Sequence, residues 1–435
     1  MHSSSLRSRG FTLIELLVGT VVGSIVLLGI SMTFISQAQQ YQSHASRRAI
    51  QASARQSLAF MERKVRSSGY GVHPDRAVLA YDSYDVVSDS SLPGYPDAIV
   101  VHSRDPLFRR RLQNAAATQL TLSNLGPALT QPLRRGQILL ALCTQEPKTA
   151  FVTVSQDVPA GATVIPLDQN PPAADSPVRE PGALFREQAR LTDACFAQAW
   201  LVKIDRFGFY VAMFDEDGDL ATSGSVPYLM MNQGLDLTGD GSINAEDSVP
   251  VAEGIEQLQI AYILNVNNPA ALNEAPIILG VEGAMPANHY GELWQGSNAL
   301  INTTFVSSQT PPIPWFFDTD VVGATHAFRR ADHPANIRQI RLTLVARSTV
   351  SDQQITGDNM MTGAEGAPLP GNNAIPWRQL ENLDTPVPDF TPSGGGYYRV
   401  LIRESITPKN LLMNAQFSPV EFEDSAETVL TAGGG

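Results

Sequence analysis

Arg7-Ser8-Arg9-Gly10-Phe11-Thr12-Leu13-Ile14-Glu15-Leu16-Leu17 opens the stretch that decides the fold, and an apolar run continues it to Ile35. The only charge between Phe11 and Ile35 is Glu15. At ~1.5 Å per residue a helix of that length reaches ~37 Å, enough to cross a hydrocarbon core of ~30 Å. Arg7 and Arg9 precede it, and the positive-inside bias keeps that end cytoplasmic. The pattern therefore predicts a single crossing, with the bulk of the chain on the far side. A secretory signal would carry a small-residue cleavage site after the apolar run, and Thr33-Phe34-Ile35-Ser36-Gln37 offers none. The conspicuous junction lies before the run, at Gly10–Phe11.

A carboxylate inside a membrane costs several kcal/mol unless it is paired, so Glu15 marks a site by default. Two readings are open for it. A helix N-terminus favours a negative group by ~0.3–1 kcal/mol. Alternatively, Glu15 supplies the counter-charge for a positive group on a neighbouring helix. Gly19, Gly23, Thr20 and Ser24 also lie in the span, either as close-approach positions between helices or as ordinary small residues of a membrane helix.

This arrangement resembles the type IV prepilin signal, Gly-Phe-Thr-Leu-Ile-Glu, over residues 7–30. The resemblance implies that a prepilin peptidase cuts after Gly10 and methylates the amine of Phe11. It implies that Glu15 of one subunit then docks against the Phe11 amine of another in a bundle of parallel helices. Residues 1–10 would be a cytoplasmic leader and 11–35 the membrane and filament-core helix.

The chain has 435 residues, a net charge of −13, and 43% hydrophobic against 17% charged residues. Losing the leader removes Arg7 and Arg9, leaving 28 basic against 43 acidic side chains, or −15. That balance disfavours a nucleic-acid role, which needs clustered Lys and Arg. Length beyond the anchor suffices for a sizeable core in one or two lobes.

From Ser36 to Ser67 there is no Pro or Gly, and Ile50, Ala54, Leu58, Met61 and Val65 recur at helical spacing. Residues 36–68 are thus an amphipathic continuation of the helix, whose stripe requires a covering sheet. Gly69, Gly71 and Pro74 stop it. Beyond Pro74, alternating segments predict strands at 98–102, 119–122, 137–143, 151–154, 199–204, 207–214, 258–263, 340–346 and 398–402. Ile340, Leu342, Leu344 and Ala346 alternate with polar residues as in a half-buried antiparallel strand. The expected fold class is α+β, with the long helix packed on an antiparallel head over 75–430. Residues 158–182 and 351–396, rich in Pro, Ala, Gly, Asn and Asp, are expected as surface loop insertions.

Asp236-Leu-Thr-Gly-Asp-Gly-Ser-Ile-Asn-Ala-Glu-Asp247 fits a calcium-loop template. The candidate ligands are Asp236, Thr238, Asp240, Ser242 (through its carbonyl), Asn244 and Asp247, with Gly241 at the sharp turn and Ile243 as anchor. Hard oxygen donors at this spacing suit Ca²⁺. Asp247 replaces the usual Glu and no clear helix precedes the loop, so a solvated acidic turn is the alternative. Cys143 and Cys195 fall in the exported region, where an oxidising compartment favours a bridge over two separately buried thiols.

Head segments extend the resemblance to the PilW-type minor pilins: Phe60-Met61-Glu62-Arg63 with Ser68-Gly69-Tyr70-Gly71, Gly136 to Cys143, Val251 to Tyr262, and Ile340 to Ser348. What this implies is a minor pilin that takes part in initiating pilus assembly near the filament tip, not an enzyme. It would sit in the inner membrane with its head in the periplasm, then in the surface pilus. Its implied partners are other minor pilins, the major pilin, the prepilin peptidase and the inner-membrane assembly platform. Two further readings are a minor pseudopilin of a type II secretion system, and a pilus-borne adhesion module contacting a surface through 158–182 and 351–396. No His-Glu-x-x-His, Gly-x-Ser-x-Gly, phosphate loop or Cys-x-x-Cys is present.

Overall fold

The structure, a computed structural model, describes residues 12–81, 84–91, 95–126, 129–144, 148–170, 175–214, 220, 226–267, 276–279, 289–290, 337–349 and 397–411. The 351–396 insertion and the 412–435 tail lie outside them. The chain divides into two compact units, Met1–Ala49 and Ile50–Gly435, and the boundary falls within one helix, Leu13–Arg66.

In the second unit the helix buries the stripe its spacing predicts. Ile50, Ala54, Leu58, Met61 and Val65 are all buried and form one core with residues from two sheets. Gly69 ends the helix with φ +77°, and a Cβ there would lie 2.8 Å from the Leu411 side chain, so only glycine fits. Met61 has no exposed surface, and Met61→Ala is expected to cost about 2–4 kcal/mol through the cavity left behind. Chemical denaturation of the parent and the variant checks this.

The first sheet is organised around Trp200–Phe214. One side of this strand pairs with Ala98–Ala116. The other pairs with Ile138–Leu142 along its first half and Val226–Asn232 along its second. Ser248–Glu253, Thr149–Thr153, Val78–Tyr81, Gln119–Leu122 and Val164–Pro166 complete it. The two predicted strands at 199–204 and 207–214 are one, because Arg206 is buried between them and compensated from afar. It donates to the Ser176 carbonyl and to Asn232 Oδ1. Ala98–Ala116 likewise passes through Asp105-Pro106, where the register shifts between Arg104 and Arg109.

The second sheet runs Pro276–Leu279, Ile255–Asn267, Ile337–Arg347, Arg399–Ile406, all antiparallel, and His289–Tyr290 adds in parallel at the edge. Here the half-buried expectation is corrected. Ile340, Leu342, Leu344 and Ala346 are buried, and so are Thr343, Val345 and Arg347 on the opposite face. Charge on that face is neutralised within the layer: Arg399 donates from Nε and Nη2 to Glu256 at 2.7 and 3.2 Å, with Arg347 4.0 Å away.

A second core is built by Phe108, Leu112, Leu120, Leu139, Val152, Ile165, Phe196 and their neighbours. It draws in Val158, Ile165 and Leu167, and Val164–Pro166 is a strand. Much of 158–182 is therefore packed structure, not a surface excursion. Its apolar residues, diluted by Pro and Ala, pair across the chain with Gln119–Leu122. The architecture is α+β, a long apolar-to-amphipathic helix followed by antiparallel sheets.

Candidate functional site

The N-terminal unit presents a helix with no internal cover. Leu13–Ala38 has a mean hydropathy of 2.4 and none of it is buried. Leu13, Ile14, Leu16, Leu17, Ile25 and Leu27 are each more than half exposed. Three hydroxyls in this span are satisfied within the helix: Thr20 Oγ1 donates to the Leu17 carbonyl, Ser24 Oγ to that of Thr20, and Thr33 Oγ1 to that of Gly29. A surface of this kind, apolar outside with its hydroxyls folded back on the backbone, suits a bilayer or a bundle of like helices. Gly19, Gly23 and Gly29 have open space where a Cβ would stand, so a neighbouring helix could approach there closely.

Glu15 sits in the first turn and its carboxylate folds back on Thr12. Thr12 N and Thr12 Oγ1 both donate to Glu15 Oε2, at 3.0 and 2.8 Å, and Glu15 N donates to Thr12 Oγ1 at 3.3 Å. These reciprocal contacts are a capping box, which satisfies helix-end donors that nothing else would reach. The Thr-x-x-Glu spacing at 12 and 15 carries that signal in the sequence. One carboxylate oxygen, Oε1, takes no hydrogen bond among the described residues. Gly10 and Phe11 lie outside the described residues.

The Asp236–Asp247 loop is closed by its own hydrogen bonds. Asp247, 1% exposed, accepts from Leu237 N, Thr238 N and Thr238 Oγ1 on Oδ1 and from Asn244 N on Oδ2. Asp236 accepts from Gly239 N, Gly241 N and Thr238 Oγ1. The Ser242 N–H and hydroxyl hold Asp240 below the usual carboxylate range. Gly241 takes φ +85° at the sharp turn, and Ile243 is buried as the anchor. Asn244 caps the short turn Ala245–Asp247. Among the described residues no three His, Cys, Asp or Glu side chains are grouped to hold a metal ion. Asp247→Ala is expected to cost about 2–4 kcal/mol, because buried backbone donors lose a charged acceptor. Hydrogen exchange should show Leu237, Thr238 and Asn244 losing protection first.

Cys143 and Cys195 are joined by a disulfide, with Cα atoms 5.5 Å apart and a sequence separation of 52. Beside the bridge, Lys148 Nζ lies 2.7 Å from Asp193 Oδ2 and holds that carboxyl below its usual range. Both cysteines pack against the second core.

Residues 5–31 match the family model of the prokaryotic N-terminal methylation motif. No curated protein and no solved structure matches the chain. Together with the exposed apolar helix and the α+β head, this motif supports a type IV pilin-like prepilin. Motifs of this kind imply processing by a prepilin peptidase, membrane anchoring and assembly with other pilins, and they point to a structural rather than an enzymatic family.

Proposed function

We propose that the chain is a minor pilin of the type IV pilus, of the PilW type, which takes part in initiating filament assembly near the tip. The observation that carries this reading is the uncovered apolar helix with a single carboxylate in its first turn, one oxygen of which has no hydrogen-bond partner among the described residues. In this reading Gly10–Phe11 is cleaved and the new amine methylated. The helix leaves lipid for a bundle of like helices, and Glu15 Oε1 meets the terminal amine of an adjacent subunit. Desolvated, that pair is worth more than in water, and it fixes the axial register of the incoming subunit. The head, held in the periplasm until assembly, selects which pilins associate.

Deleting the gene should sharply reduce surface pili while pilin synthesis continues. Normal piliation in that strain would refute the assembly role. Intact pili with blocked exoprotein secretion would instead assign the chain to a type II secretion system. Ca²⁺ at Asp236–Asp247 is proposed on sequence spacing alone. A melting temperature raised by Ca²⁺ and returned by a chelator supports it, and an unchanged one removes it.

A further inference from the structure

The head carries a cleft of about 690 Å³, far from the N-terminal helix in sequence, bordered by Arg109, Arg110, Arg111, Asn124, Gln198 and Trp200. That volume lies in the range of small-ligand sites. Three successive arginines are unusual in a chain of net charge −13, and among the described residues none of the three has an acidic partner. Strand alternation sends Arg109 and Arg111 to one face, both exposed, and Arg110 to the other. Arg110 is only 8% exposed. It donates to the Arg109 carbonyl at 2.8 Å and to Thr130 Oγ1 at 3.1 Å, while its Nε finds no partner.

The two exposed arginines are pre-positioned. The Arg109 guanidinium stacks 3.9 Å from the centre of the Trp200 ring, which leaves its in-plane N–H groups free to fork onto a carboxylate. Arg111 is 5.9 Å from the same ring and is steadied by Gln198 Oε1 at 3.3 Å. Two residues apart on a strand, they stand ~6.7 Å from one another along the chain, a spacing for successive charges of an extended ligand. The Ser123–Gly126 turn, tied to the same strand by Ser123 N donating to the Arg111 carbonyl at 2.8 Å, offers the Asn124 amide, and Leu125 is fully exposed at the rim. Side-chain amides both donate and accept, the complement of vicinal hydroxyls.

We propose that this cleft binds a carboxylate-bearing oligosaccharide, with Arg109 and Arg111 taking its carboxylates and Asn124 and Gln198 its hydroxyls. Duplex DNA fits less well: with both strands counted its phosphates recur every ~1.7 Å of axis, and three cations on an otherwise acidic protein cannot match them.

Calorimetric titration of hexagalacturonate into the full chain in uncharged detergent tests the proposal. Saturable binding that weakens with salt is expected, while the neutral hexamer of galactose gives none. Arg109→Ala and Arg111→Ala should each weaken binding about tenfold, the loss of one charge-assisted hydrogen bond, and together abolish it. Arg109→Lys should not restore it. Both side chains are exposed, so melting temperatures should stay unchanged, and Asn124→Ala in the adjoining turn gives an independent loss. Absence of binding, equal binding of the neutral hexamer, variants that bind like the parent, or tighter binding of single-stranded DNA would overturn it.

Discussion

Exchange of Glu15 for Gln is expected to leave the chain in the membrane and processed but to reduce its incorporation into filaments about tenfold or more. The magnitude follows from the loss of one charge-assisted contact, ~1.5–3 kcal/mol. Gln separates the two roles that the geometry combines. Its amide oxygen can still accept from Thr12 N and Thr12 Oγ1, so the capping box survives and the helix start keeps its ~0.5–2 kcal/mol. What it lacks is the negative charge offered by Oε1 to a neighbour. If capping alone mattered, Gln would behave like the parent and only Glu15→Leu would fail. If pairing matters, Gln and Leu fail alike. Quantifying the subunit in sheared filaments against its membrane pool distinguishes the two.

Removal of the disulfide should be among the most damaging changes to the head. Closing 52 residues is worth at most ~4 kcal/mol in the chain-entropy model, and replacement of Cys143 and Cys195 by Ser is expected to cost about 2–4 kcal/mol. The bridge ties the end of Ile138–Leu142 to the turn Ala194–Gln198 that leads into Trp200–Phe214. Destabilisation should therefore begin around the second core, against which both cysteines pack. Calorimetric melting with and without reductant would show a lowered transition for the reduced and the double-Ser forms. A parent protein indifferent to reductant would contradict the structural role of the bridge. Because the bridged loop includes the Ala183–Phe185 and Gln188–Thr192 turns, protease cuts there should appear first in the reduced protein.

The helix was legible because its signal is local. An apolar run followed by Ile50, Ala54, Leu58, Met61 and Val65 states length, face and end within one stretch of chain. Strand centres were legible where alternation is clean, as at Gln119–Leu122 and Ile337–Arg347. Strands that break the rules of composition were not. Val226–Asn232 and Ser248–Glu253 contain Pro227 and Pro250, which read as breakers. The second is accommodated as an edge strand, with a register shift beside Met230 and Pro250. Ala98–Ala116 reads as interrupted at Asp105-Pro106, yet a bulge carries it through. In each case a partner distant in sequence decides, and periodicity cannot see that partner. The capping box at Thr12 and Glu15 was visible in principle. The Arg109–Trp200 cleft was not, because the strand that sets Trp200 beside Arg109 and Arg111 lies some 90 residues away in sequence.

The most direct test of the account is the mass of the chain recovered from membranes of a cell with an active prepilin peptidase. It should correspond to Phe11–Gly435 plus one methyl group on the terminal amine, and Gly10→Ala should restore the full-length mass. Recovery of an unprocessed Met1 terminus from the parent, or of a chain cut beyond Ile35, would contradict it.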